Sequence, residues 1–357
     1  MDKERVHTLE QTSATFQIRG VVTGMKREKA YQSGTTKSGG NWNSIDIGLN
    51  INSNKTVYMK LRGFPRSEVF YYKAAEKKGE KGTTKKVAWK DRKKSPGDGF
   101  RLIGVNISTS KGDDGKNVNE MFTEYDAVEY LHDNLKDGTS LFVKGNMEFS
   151  SYTNKNGEVR RSVDLVPTQI SFTKDDINFD ADDFAEMAEF ENTIVFSSIE
   201  KEMDENDKPT ERFILSGYNI GYATIEPTSF IVDKAHAKLA GNLRKAMKPA
   251  YAIKTYGRIE VINDISAVET DDDGWGEASP MERLNSPTKR EYVVYKAVPD
   301  TIDKETYSED KIAAAIRAIK NAKEAEQKFV VNDDTSSDAD WGDGDFGDSN
   351  NDDETPW

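Results

Sequence analysis

The sequence predicts a mainly β protein: two tandem five-stranded barrels with inserted helices, a C-terminal helix and a disordered acidic tail. Three observations predict it. Apolar residues alternate with polar ones over short runs in both halves of the chain, the mark of half-buried strands. Each half carries one helix-like stretch ahead of its fourth run. Residues 329–357 hold ten carboxylates and no Lys or Arg, so they lack the apolar content to fold alone.

In the first module, Phe16, Ile18 and Val22 form one run, and Ile45, Ile47, Leu49 and Ile51 a second. Val57, Met59 and Leu61 form a third, Leu141, Val143, Met147 and Phe149 a fourth, Val163 and Leu165 a fifth. Between the third and fourth, residues 119–136 place Phe122, Tyr125, Ala127, Val128, Leu131 and Leu135 near helical spacing. Five strands with a helix between the third and fourth is the order of an OB-fold barrel. The module, residues 1–174, is therefore expected to be OB-like, with an insertion at 65–100.

An acidic linker, 175–191, leads to a second OB-like module, 192–303, with strand-like runs at 193–199, 212–217, 229–232, 250–262 and 291–298 and a helix at 233–248. A weak repeat supports the tandem reading. Lys144-Gly145-Asn146-Met147-Glu148-Phe149 matches Tyr256-Gly257-Arg258-Ile259-Glu260-Val261, and each copy leads to a Val-Pro pair, Val166-Pro167 and Val298-Pro299. The longer second gap holds the loop Asp271-Asp272-Asp273-Gly274-Trp275-Gly276. A helix is predicted within 304–329, with Ser308 as its N-cap, Glu309 and Asp310 in its first turn, Lys323 and Lys328 near its end, and an apolar stripe of Ile312, Ile316 and Ile319. Residues 330–357 form the tail.

Composition narrows the function. The chain has no cysteine and three histidines far apart in sequence, which argues against disulfides, thiolate metal sites and histidine triads. No metal or other cofactor is expected, and the protein is not expected to be an enzyme. A reducing, cytoplasmic compartment fits, with no membrane association. The net charge of −13 conceals an asymmetry. Residues 1–174 carry +9, residues 175–191 carry −8, residues 192–328 carry −4 and residues 329–357 carry −10. A basic module suits a polyanion, and an acidic tail competes for the same surface or recruits a second protein.

If Val57, Met59 and Leu61 face the core, Tyr58, Lys60, Arg62 and Phe64 face outward. Two aromatics and two cations on one strand face suit unpaired nucleic acid, since bases stack on rings and cations neutralise phosphates. The loop 26–40 adds Lys26, Arg27, Lys29, Tyr31 and Lys37 where OB-folds place a binding loop, and Trp42 closes it. The stretch from Lys73 to Lys94 holds ten Lys/Arg against three acids, among them Lys85 and Lys86, with Trp89 nearby. Tyr152, Arg160 and Arg161 flank a hairpin signal, Asn154-Lys155-Asn156-Gly157. Acid pairs such as Asp113-Asp114 sit in Gly-rich loops without a nearby general base.

The chain ends Asp352-Asp353-Glu354-Thr355-Pro356-Trp357. This resembles the acidic tip of bacterial and phage single-stranded-DNA-binding proteins, Asp-Asp-Asp-x-Pro-Phe, with Asp352, Asp353, Glu354, Pro356 and Trp357 filling the pattern. With the OB-like modules, the whole chain resembles a phage-type single-stranded-DNA-binding protein. The resemblance implies binding and protection of single-stranded DNA in replication, recombination and repair, with those five residues docking partner enzymes. It departs from the single barrel of bacterial homotetramers, and a monomer or weak homo-oligomer is expected. The rival readings are a protein-interaction scaffold whose tail mimics DNA, and a metal-dependent nuclease or polymerase accessory subunit.

Overall fold

The computed structural model describes residues 5–36, 39–77, 79–113, 115–153, 157, 159–204, 206–263 and 288–332. The chain divides into two compact units. One comprises Ser13–Asn192 with Tyr256–Arg258; the other comprises Met1–Thr12, Thr193–Thr255 and Ile259–Trp357.

In the first unit, β1 (Ala14–Thr23) buries Phe16, Ile18 and Val22 on one parity. β2 (Tyr31–Thr35), β3 (Asn41–Asn50) and β4 (Thr56–Gly63) follow as an antiparallel set, β3 pairing with β1, β2 and β4. The basic insertion is itself a three-stranded sheet, of β5 (Glu68–Lys73), β6 (Thr83–Ala88) and β7 (Arg101–Leu102) in the order β6-β5-β7. Val69, Tyr71 and Leu102 form its small core, against which Val87, Trp89 and Phe100 pack.

The hairpin β8 (Val105–Lys111) and β9 (Asn117–Phe122) comes next, then α1 (Glu124–Asn134). The helix expected at 119–136 therefore starts later, and its first residues are strand. Asn117–Phe122 is held extended by pairing with β8, and the Thr123 side chain caps α1 by accepting from the Asp126 backbone N–H. Gly63 lets α1 close on β4: a Cβ there would lie 2.3 Å from the Tyr125 Cα.

β10 (Ser140–Thr153) pairs antiparallel with β1 and with β11 (Val159–Phe172), and β11 pairs in parallel with β8. β12 (Met187–Met203) begins inside the stretch expected as linker, and Met187–Asn192 pairs with β1. Ala188 and Phe190 are buried while Glu189 and Glu191 alternate with them, so the acids there occupy one strand parity.

The second unit pairs β12 with β13 (Pro209–Ile220), β13 with β14 (Ile225–Val232), β14 with β16 (Thr288–Asp303), β16 with β15 (Ala252–Asn263), and β15 with β12. A short 3-10 turn at Lys234–His236 leads into α2 (Ala237–Ala246). The strand order in both units resembles that of OB-fold proteins, and the sheets mix parallel and antiparallel pairs. The two repeated hexapeptides lie in β10 and β15, each the strand before the last of its order.

α3 (Glu309–Asn332) starts where Ser308 accepts from the Lys311 N–H through its hydroxyl, 3.3 Å, and from the Ile312 N–H through its carbonyl, 3.0 Å. Its buried stripe is Ile312 and Ala315, with Ile319 partly buried; Ile316, expected on that stripe, is exposed. Residues at i, i+3 and i+7 share the packed face, and i+4 falls at its edge. Leu9, Val195, Ile220, Ile225, Ala250, Ala252 and Tyr307 complete this core.

Candidate functional site

The exposed face of β3 and β4 is the candidate site. Val57, Met59 and Leu61 are buried, which turns Tyr58, Lys60 and Arg62 to the opposite side. Tyr58 is 43% exposed and Phe64 44%. The register sets Ser44 opposite Arg62, Asp46 opposite Lys60 and Gly48 opposite Tyr58. A Cβ at Gly48 would lie 2.9 Å from the Tyr58 ring, so only glycine lets that ring lie against β3. The Arg27 guanidinium sits over the same ring, 4.6 Å from its centroid, and Arg27 Nε donates to the Gly24 carbonyl, 3.0 Å. Tyr58 is thus flanked by a cation contributed by the loop after β1.

One carboxylate lies among these cations. Lys60 Nζ is 3.5 Å from Asp46 Oδ1. Burial pushes the Asp46 carboxyl above its ordinary value, and Lys60, Arg27 and Arg62 offset only part of that rise. Sequence reasoning had not included Asp46 in the site. Its signal was parity: it alternates outward on β3 with Trp42.

The remaining expected residues fall into three groups. Lys26 and Lys29 are exposed in the turn after β1; Lys37 lies outside the described residues. Tyr152, Arg160 and Arg161 are exposed near the β10–β11 hairpin, where Tyr152 pairs with Arg160 and Ser151 with Arg161. Of the hairpin tip, Asn154, Lys155 and Asn156 lie outside the described residues, as do Asp114, the 271–276 loop and the tail residues Asp352, Asp353, Glu354, Pro356 and Trp357.

In the third group the aromatics pack inward and the lysines stay exposed. Tyr31 sits opposite Ile45 on β2 and stacks on His132 of α1, with centroids 4.1 Å apart and planes 18° apart. Trp42 is half-buried, its ring lying along Gly34 across the β2–β3 pair. Trp89 is half-buried too: the Arg92 guanidinium lies 4.4 Å from its ring and the Tyr125 ring meets it at 77°. Lys85 and Lys86 are exposed on β6; Lys86 pairs with Glu68 at 2.6 Å, and Lys85 lies 4.5 Å from the Phe100 ring centroid.

The contacts therefore join Arg27, Asp46, Tyr58, Lys60 and Arg62 into one patch. Tyr31 and Trp89 tie secondary elements to α1. Among the described residues, no group of three or more His, Asp or Glu is placed to hold a metal ion. No helix among them is long and apolar enough to cross a membrane.

Fold and patch together define a mainly β protein with OB-like strand order and an exposed aromatic–cationic strand face. The chain belongs to the YorF family, whose model matches residues 74–329. No curated protein matches it. Among solved structures it is similar to the wild-type single-stranded DNA binding protein from Thermus aquaticus, at 10% identity and a TM-score of 0.38, covering 81% of this chain and 93% of that one. It is also similar to the mitochondrial single-stranded DNA binding protein Rim1 of S. cerevisiae, at 8% identity and 0.23, covering 46% and 97%. A third is the Plasmodium falciparum SSB in complex with ssDNA, at 9% identity and 0.21, covering 47% and 100%. Likeness this loose carries nothing about residues or activity.

Proposed function

We propose that this chain binds single-stranded DNA without strong sequence preference, and that it acts without catalysis as a phage-type single-stranded-DNA-binding protein. The carrying observation is the patch on β3 and β4, where exposed Tyr58 accompanies Arg27, Lys60 and Arg62, with exposed Phe64 directly after β4. Rings at the surface offer stacking to bases of any identity, and the cations track the phosphates. A duplex keeps its bases stacked on one another and cannot use the rings. OB-folds bind oligonucleotides on this strand pair and on the adjoining loops, which here bear Lys26, Lys29, Tyr152, Arg160 and Arg161. The insertion adds the exposed cations Lys85 and Lys86.

Each unit is read as an OB-like barrel; the β12-β13-β14-β16-β15-β12 pairing cycle supports this for the second. The division into 1–174, 175–191, 192–303, 304–329 and 330–357 remains the proposed domain plan. Protection of exposed strands places the protein in replication, recombination and repair. The acidic tail recruits partner enzymes through Asp352, Asp353, Glu354, Pro356 and Trp357.

Fluorescence anisotropy of the full-length chain with labelled single-stranded DNA, duplex DNA and RNA at two salt concentrations tests the reading. Single-stranded DNA is expected to bind tighter than duplex, and more weakly as salt rises because phosphate contacts release counterions. Absence of single-strand binding at low salt, or equal affinity for duplex, overturns it.

A further inference from the structure

A second site lies apart from the β3–β4 patch. Residues of the insertion and of the β8–β9 hairpin line an open cleft of about 540 Å³. Tyr71, Phe100, Leu102 and Met121 give it apolar walls, Lys93 and Arg101 bring two cations, Asn106 and Asn119 bring amides, and Ser95 brings a hydroxyl. Aromatic and apolar side chains beside convergent polar groups are the general form of a small-molecule site, and this volume lies in the usual range.

The polar groups narrow the occupant. The Asn106 amide makes no hydrogen bond among the described residues, and its Oδ1 is buried. An unsatisfied buried acceptor is costly, so a ligand donor there is favoured. Asn106 lines the cleft, and χ2 of asparagine is a soft torsion, so its amide can turn toward a ligand without breaking a hydrogen bond. Arg101 is exposed and has no ion-pair partner among the described residues. The Lys93 side chain is 77% exposed, and its ammonium lies 3.8 Å from Asp126. The walls are firm: Tyr71 is buried, and its hydroxyl donates to the Arg92 carbonyl at 2.7 Å.

We propose that this cleft takes one unstacked nucleotide of a bound single strand, with an amine-bearing base on Asn106 and its phosphate on Arg101 and Lys93. The apolar walls cover the base faces. Asparagine offers an acceptor to an exocyclic amine and a donor to the neighbouring ring nitrogen, a pattern that unpaired adenine and cytosine present and thymine lacks. The inference rests on the single-strand reading of the function. It refines that reading without giving the protein a sequence code, because a mixed strand supplies such a base within a few positions.

The test titrates the full-length chain with an all-thymidine strand and with the same strand carrying one central adenosine. The adenosine strand is expected to bind on the order of 10-fold tighter, the usual gain from one amide–base pair. Asn106→Ala should bring the ratio of the two affinities to near one. Arg101→Ala, at an exposed position, should weaken both strands and lower the slope of log affinity against log salt by about one. Equal affinities for the two strands in the unaltered chain overturn the proposal while leaving the proposed function standing. So does a ratio that survives Asn106→Ala, or an affinity and salt slope untouched by Arg101→Ala. If neither strand binds, both fall together.

Discussion

Arg92 clasps Asp126 with two hydrogen bonds, Nε to Oδ2 at 2.8 Å and Nη2 to Oδ1 at 2.9 Å. The pair joins the basic insertion to the first turn of α1. The Thr123 hydroxyl donates to the same carboxylate, 2.7 Å. Arg92 also covers Trp89, so one side chain supplies an ion pair and a ring contact. A lysine-rich segment is thereby held as a folded sheet.

Removing that clasp should loosen the insertion. Arg92→Ala is expected to cost about 2–3 kcal/mol, since it leaves a largely buried carboxylate short of its charged donors. Urea denaturation gives the loss, and limited proteolysis should show new cleavage within 65–100. An unchanged cleavage pattern would mean that the apolar contacts of Val69, Tyr71 and Leu102 hold the sheet alone.

The same pair predicts an acid dependence. Burial pushes the Asp126 carboxyl up, but hydrogen bonds from Arg92 and Thr123 and the charges of Arg92 and Lys93 outweigh it and hold the group below its ordinary value. The folded state then binds this proton less tightly than the unfolded state. Its stabilisation is present above the unfolded value of about 3.9 and is lost as pH falls through the lower folded value. Thermal melts from neutral to strongly acidic pH should show the chain's advantage over Asp126→Asn shrinking only at the acid end. A constant gap across that range contradicts this account.

At the β3–β4 patch, Tyr58→Ala and Phe64→Ala should each cost about 1–3 kcal/mol in single-strand affinity. Lys60→Ala should cost less and flatten the salt dependence. Anisotropy titrations, with melting temperatures checked, decide it. If neither aromatic variant binds more weakly, the rings stack nothing.

Asp46 should act in the opposite direction. It neutralises Lys60 within a face read as phosphate-binding. Asp46→Asn removes that charge and frees the ammonium, so affinity should rise and the salt slope should steepen by about one. The carboxyl is already pushed up by burial, so the neutral variant should melt no lower than the parent. A weaker-binding Asp46→Asn would mean that the ion pair positions Lys60.

The tail carries a separate prediction. Ten carboxylates between Asp333 and Glu354 are tethered to a chain whose residues 1–174 carry +9. Tethering sets their effective concentration in about the millimolar range. Removing residues 333–357 should tighten DNA binding, most at low salt. Removing only Pro356 and Trp357 should leave affinity nearly intact and abolish partner capture. Weaker DNA binding after the long truncation refutes competition, and undiminished partner capture after the short one refutes docking.

Local pattern made much of the fold legible. The parity of Val57, Met59 and Leu61 against Tyr58, Lys60 and Arg62 fixed which side chains reach solvent, because a strand turns alternate residues to opposite faces. Ser308 marked the start of α3, because an N-cap is a property of adjacent residues. Tertiary structure decided the rest. Residues 119–122 fitted a helical spacing equally well, and pairing with β8 made them strand. Tyr31 and His132 lie far apart in sequence, as do Trp89 and Tyr125, and nothing local reveals that each pair meets. Among the aromatics proposed to bind nucleic acid, sequence therefore gave type and parity. Only packing separated Tyr58 and Phe64, left exposed, from Tyr31 and Trp89, drawn onto α1, because burial depends on which distant segment arrives to cover a side chain.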